Sequence, residues 1–199
     1  MSVMESIKIR INAMNDGDIM TTADFADLAN LTTIRKDLGR CVDNGLIRRV
    51  FDGVYEKPHY SRLLDEYMPT DPDKVAYALA RTYHWTIAPC GDIALNRLGM
   101  TTQVPTVWSY VSDGPYRTFS WDHIQLKFKH KTNREISMLS TQTILITEAL
   151  RALGKERITP DIIGQLRKKI PECDREMILT ESSSCSEWIH ETIRKACVS

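Results

Sequence analysis

Arg35, Lys36 and Arg40 lie within the segment TTIRKDLGRCVDNGLIRRVFDGVYEK, residues 32–57. At about 100° per residue they share one side of a helix, and Gly39 between them lets backbone approach a partner closely. Guanidinium and ammonium groups on such a ridge can bond base edges and phosphates, and an arginine paired to guanine discriminates by about 1–3 kcal/mol. Thr33 joins them near the helix N-terminus. Arg48 and Arg49 follow on a strand and Lys57 just after it, where a wing would lie against phosphates. The chemistry on offer is duplex recognition.

Specific elements must hold those groups outward. Thr32 or Thr33 can cap a helix whose inner face is Ile34, Leu38, Cys41 and Val42, and Gly45 can end it at positive φ. Leu46, Ile47, Val50 and Phe51 lead into Asp52-Gly53, a pair suited to a type I′ hairpin turn, and Val54 and Tyr55 lead away. Upstream, Met4, Ile7, Ile11 and Met14 form a helical stripe. Thr22 opens a short helix containing Phe25, Leu28 and Ala29, and Asn30-Leu31-Thr32 turns the chain into the next helix. This order predicts a winged helix-turn-helix over residues 1–57.

Prolines 58, 69 and 72 mark residues 58–72 as a linker, leaving residues 73–199 as a second domain. There the patterns give a helix over 72–83, a short strand over 85–88 and a helix from Asp92 to Gly99. β segments follow from Val104 to Lys131, then helices near 142–153, 160–170 and 186–196. The fold class expected is α+β, an N-terminal winged domain followed by a mixed domain with C-terminal helices.

Charge is balanced overall, with 26 Lys and Arg against 26 Asp and Glu, yet unevenly placed. Residues 33–49 carry five cations against two aspartates, while residues 1–57 carry eight against nine acids, so the cationic surface is one face. Residues 117–134 hold five cations against one aspartate. Lys127, Lys129 and Lys131 alternate along one strand face and Arg134 follows. They either guard an edge strand from aggregation or form a second polyanion-binding surface. Five dispersed cysteines without a CxxC pair point to no zinc site and no disulfide framework. No apolar leader or membrane-length run is visible, so the expected setting is the cytoplasm, without membrane partner or cofactor.

The segment Cys90–Pro105, CGDIALNRLGMTTQVP, resembles the AbiEi-type antitoxins. Gly91, Ala94, Leu95, Asn96, Leu98, Gly99, Thr102, Gln103 and Pro105 carry the likeness, followed by the Asp113-Gly114 turn and Thr147-Glu148-Ala149-Leu150. Gly45-Leu46-Ile47 and Gly53-Val54-Tyr55 look like the same family's winged domain, and the likeness spans roughly residues 5–170. It implies an antitoxin of a type IV toxin–antitoxin pair. Its winged domain would repress the pair's own promoter by binding repeats in double-stranded DNA. Its second domain would counteract a nucleotidyltransferase-like toxin without a stable complex. Gly39 on the outward face departs from what base reading by that helix would favour.

Bland roles compete for several of these groups. Asn96 and Gln103 can simply tie down a loop. Trp85, Trp108, Tyr110 and Trp121 either build a core or line a pocket for a small-molecule ligand, which is the alternative function: a winged regulator with a sensing domain. Cys90 near His84 lacks an acidic third member and a phosphate-binding glycine loop, so no catalytic residue is assigned.

Overall fold

The computed structural model describes residues 2–132, 136 and 138–198. Helix α1 (Val3–Asn12) opens with a capping box in which the Ser2 hydroxyl accepts from the Glu5 N–H and the Glu5 carboxylate accepts from the Ser2 N–H. Strand β1 (Ile19–Thr21) and a single 3₁₀ turn (Thr22–Phe25) lead to α2 (Leu31–Asp43). The hairpin β2 (Arg48–Phe51) and β3 (Val54–Glu56) completes a three-stranded antiparallel sheet in the order β1-β3-β2. Helix, strand, helical turn, helix and hairpin are the order of a winged helix-turn-helix. Its core is Ile7 and Ile11 of α1, Met20, Phe25, Ile34, Leu38, Cys41, Ile47 and Tyr55. Fully burying Ile34 and Leu38 contributes about 1.5–3 kcal/mol each, which seats α2 on its apolar face.

Local details differ from the expectation. The first helix of the motif is only one 3₁₀ turn, capped by Thr21, whose N–H donates to the Asp24 carboxylate. β1 was not anticipated, because three residues are too few to show a period. Asn30, not Thr32 or Thr33, caps α2, its side chain accepting from the Thr33 N–H at 2.9 Å. The helix ends as expected, with Gly45 at φ +70° and the Leu46 N–H bonded back to the Cys41 carbonyl. At the wing tip Gly53 has positive φ but Asp52 does not, so the turn is not type I′; a register shift between Arg49 and Phe51 accommodates it.

The expected linker over 58–72 contains a small hairpin of its own, β4 (Tyr60–Ser61) with β5 (Glu66–Tyr67). Helix α3 (Pro72–Tyr83), capped by Asp71, follows it. The chain divides into two compact units, Met1–His84 with Ser120–His123, and Trp85–Phe119 with Ile124–Ser199. α3 thus counts with the winged unit rather than with the second domain. The reason is polar stitching: Thr82 to Thr21 at 2.8 Å, Arg81 to Asp24 at 2.9 Å and Lys74 to Asp18 at 3.2 Å.

β6 (Ile87–Pro89), β7 (Val107–Ser112) and β9 (Ile124–His130) of the second unit form a sheet with β8 (Arg117–Trp121), whose Ser120 and Trp121 count with the first unit, in the order β6-β7-β9-β8. β6 and β7 run antiparallel, whereas β7 and β9 run parallel. Helix α4 (Asp92–Arg97) follows β6. The C-terminal helices are α5 (Thr141–Leu153), α6 (Pro160–Lys169), α7 (Arg175–Ser182) and α8 (Glu187–Cys197). Of these, α7 is not signalled by periodicity, its buried residues being only Ile178 and Ser182. Ala94, Leu98, Ile146, Leu150, Leu166, Ile178, Ile189 and Ile193 make one helical core. On the sheet, Trp85, Tyr110 and Phe119 ring-pack around Phe128, so these aromatics build a core. Among the described residues no helix is long and apolar enough to cross a membrane.

Candidate nucleic-acid interface

Burial of Ile34, Leu38 and Cys41 turns the opposite face of α2 outward, and Arg35, Lys36 and Arg40 are all exposed there. Thr33 is half-buried at the first turn. Nothing lies within 4 Å of where a Cβ on Gly39 would sit, so the gap between Lys36 and Arg40 is open surface. Arg35 and Lys36 have no carboxylate partner among the described residues. Arg40 does have one, since its guanidinium pairs with Asp37 at 2.9 Å while 53 % of its side chain remains in water. Asp37 keeps only 8 % of its side chain exposed, so drawing Arg40 onto a phosphate takes from a buried carboxylate its charged partner, and that cost is set against the new contact.

The two wing arginines part company, because successive strand residues face opposite ways. Arg49, paired in register with Tyr55, is exposed with its guanidinium 5.6 Å from the Tyr55 ring. Arg48 turns inward. It pairs with Glu56, whose side chain is 3 % exposed, and donates to the Met68 carbonyl at 2.6 Å and the Thr70 hydroxyl at 3.2 Å. Thr70 in turn donates to Glu56 at 2.7 Å. Arg48 is therefore held as a strut beneath the wing.

Lys57 is likewise committed elsewhere. Its ammonium donates to the Met14 carbonyl at 2.7 Å and lies 3.4 Å from Asp16, where a cation satisfies carbonyls just past the end of α1. Of the residues expected to touch duplex, the structure brings Arg35, Lys36, Arg40 and Arg49 to the surface. Arg48 and Lys57 are instead engaged by partners within the unit.

In the second unit, β9 lies between β7 and β8 and is not an edge strand, so edge protection is not what Lys127, Lys129 and Lys131 provide. Lys127 and Lys129 sit opposite Ser109 and Val111 of β7. Arg134 lies outside the described residues. Lys129 and Lys131 line a cleft of about 530 Å³ with Tyr116, His130, Glu148 and Arg151, which the sequence reading missed. The spacing Glu148 to Arg151 was the available signal, but nothing in it places the pair beside β9. Asn96 takes the bland role: its side-chain amide donates to the Gln103 carbonyl at 3.1 Å, and the Gln103 N–H donates to the Thr101 hydroxyl at 3.2 Å, closing a loop. Burial pushes the Cys90 thiol up to about 11, opposite to what a nucleophile needs.

No curated protein matches the chain. One family profile, described as a family of unknown function (DUF6088), matches residues 6–178. That match covers most of the chain, which therefore belongs to the DUF6088 family.

Proposed function

We propose that this protein is a transcriptional autorepressor that binds duplex DNA through α2 and its wing, and the antitoxin of a type IV toxin–antitoxin pair in the bacterial cytoplasm. One observation carries the DNA reading: three cations stand on the solvent face of a helix whose other face is locked into the winged core. In the major groove, Arg35, Lys36 and Arg40 reach base edges or phosphates, and Thr33 lies near the helix N-terminus. Arg49 supplies a phosphate contact that adds affinity without sequence preference. Support for the antitoxin reading is the likeness to AbiEi-type antitoxins in Cys90–Pro105 and the winged segment. On that reading the second unit counteracts a nucleotidyltransferase-like toxin without forming a stable complex with it.

The test is a mobility-shift titration with the protein's own upstream region and a scrambled duplex. Arg35→Ala with Lys36→Ala abolishes the specific shift and leaves the melting temperature unchanged. Arg40→Ala is made together with Asp37→Asn, because Asp37 is otherwise stranded with 8 % of its side chain exposed. Equal affinity for both duplexes at every salt concentration refutes the repressor. The second half is tested by looking for a nucleotidyltransferase-like reading frame beside this gene and co-expressing the two; the absence of such a frame, or a failure to restore growth, refutes it.

A further inference from the structure

We propose that the second unit holds a separate binding cleft for single-stranded nucleic acid, with the lysine face of β9 as one wall and Tyr116 as a stacking platform. The parallel register sets Lys129 beside Val111, and Val111 pairs across to Ala88. Val111 and Ala88 pack with Ile144 of α5 in one core, so α5 covers this sheet face over β6 and β7. Lys127, Lys129 and Lys131 continue the same face beyond that cover. Alternate strand positions repeat every ~6.6 Å, which makes a cationic stripe rather than a single point of charge.

Across the cleft, Arg151 of α5 faces the stripe. Its guanidinium is oriented by Glu148, a carboxylate whose side chain is 90 % buried. Among the described residues that line it, Lys129 and Arg151 outnumber the one carboxylate, Glu148. Apolar ligands are disfavoured there and anions favoured.

The aromatic side of the cleft selects among anions. Tyr116 is 74 % exposed, so its ring is open to a ligand. It lies edge-on to His130 with centroids 6.3 Å apart. The Gly114 carbonyl can only accept, so the His130 Nδ1 bonded to it at 2.9 Å carries a proton and the imidazole is fixed in place. A cationic track beside an exposed ring is the combination that holds phosphates while a base stacks. At about 530 Å³ the cleft lies within the ~300–1,000 Å³ of ligand pockets, far too small for a duplex. None of this rests on the α2 reading.

Fluorescence anisotropy on the full chain tests it, with labelled ten-nucleotide oligo(U) and oligo(dT), unlabelled AMP as competitor, and a blunt duplex of unrelated sequence. The oligomers are expected to bind with affinity that falls as salt rises. Lys129→Gln with Lys131→Gln weakens binding at least tenfold and lowers the salt slope by about 1.4, two single-strand phosphate contacts. Tyr116→Ala weakens it about 5- to 150-fold, the worth of one stacked base, while Tyr116→Phe does not. Competition by AMP at the oligomer's own affinity assigns the same phosphate-and-base chemistry to a free nucleotide. No binding by oligomer or AMP in 20 mM salt overturns the cleft, as does unchanged binding in folded Lys129/Lys131 or Tyr116→Ala variants. Arg35→Ala with Lys36→Ala separates the two sites. It removes operator binding and spares oligo(U), so failure of either reading leaves the other standing.

Discussion

Arg48→Ala distinguishes an internal strut from a DNA contact. In the native unit the Arg48 guanidinium pairs with Glu56 and donates to Met68 and Thr70, and Glu56 keeps only 3 % of its side chain exposed. Truncating Arg48 strands that carboxylate with the Thr70 hydroxyl as its remaining bonded partner. Breaking one half of a buried pair costs about 3–5 kcal/mol. A third of the Arg48 side chain is in water, so about 3 kcal/mol applies here. For a unit of this size that lowers the melting temperature by about 12–24 °C, read by circular dichroism. Arg48→Met with Glu56→Gln removes both charges together and recovers most of the loss. Arg49→Ala leaves the melt within about 2 °C and lowers the salt slope of operator binding by about 0.9. The reasoning is refuted if Arg48→Ala melts like the native protein while operator affinity drops tenfold. That outcome would make Arg48 the phosphate contact and the Glu56 pairing incidental.

Three further outcomes follow from the second unit. Gly114→Ala places a methyl 2.2 Å from the Trp85 ring, so the ring must shift; a loss of about 1–3 kcal/mol in chemical denaturation is expected, and a neutral result would mean the ring yields freely. Burial pushes the Glu181 carboxyl up, but hydrogen bonds from Thr143 and Ser140 outweigh it and hold it below its ordinary value. The stability it contributes is therefore complete above the unfolded carboxyl range and lost as pH falls through the lower folded value. Glu181→Gln should flatten the acid limb of a stability–pH profile below about pH 4.5 and lower stability at pH 7, and an unchanged limb would reject the linkage. Cys90, with its thiol pushed up to about 11, should stay unlabelled by iodoacetamide at pH 8 while exposed Cys173 reacts; rapid native-state labelling of Cys90 would reopen a nucleophilic role.

Much of the local architecture was legible in the chain because it depends on near neighbours. Ile34, Leu38 and Cys41 recur at the helical period, so the outward place of Arg35, Lys36 and Arg40 followed before any coordinates. The same holds for the helix expected near 160–170, which stands at Pro160–Lys169. Strand alternation already says that Arg48 and Arg49 cannot both face a phosphate. Which of the two turns inward is not a local matter.

The partners decide that, and they lie far along the sequence. Arg48 is claimed by Thr70, 22 residues on, and Lys57 by Met14, 43 residues back. α3 joins the winged unit through Thr82, 61 residues from Thr21. A run of lysines suits either an edge strand or a polyanion-binding surface, and pairing of β9 with β7 on one side and β8 on the other removes the first of these. Lys129 of β9 and Lys131 just after it consequently line one cleft with Arg151 and Tyr116. Residue order alone determined which faces are apolar and where helices begin and end, since those follow from period and capping within a few residues. Only the folded chain decided which charges remain for a ligand, since that depends on which distant groups compete for them first.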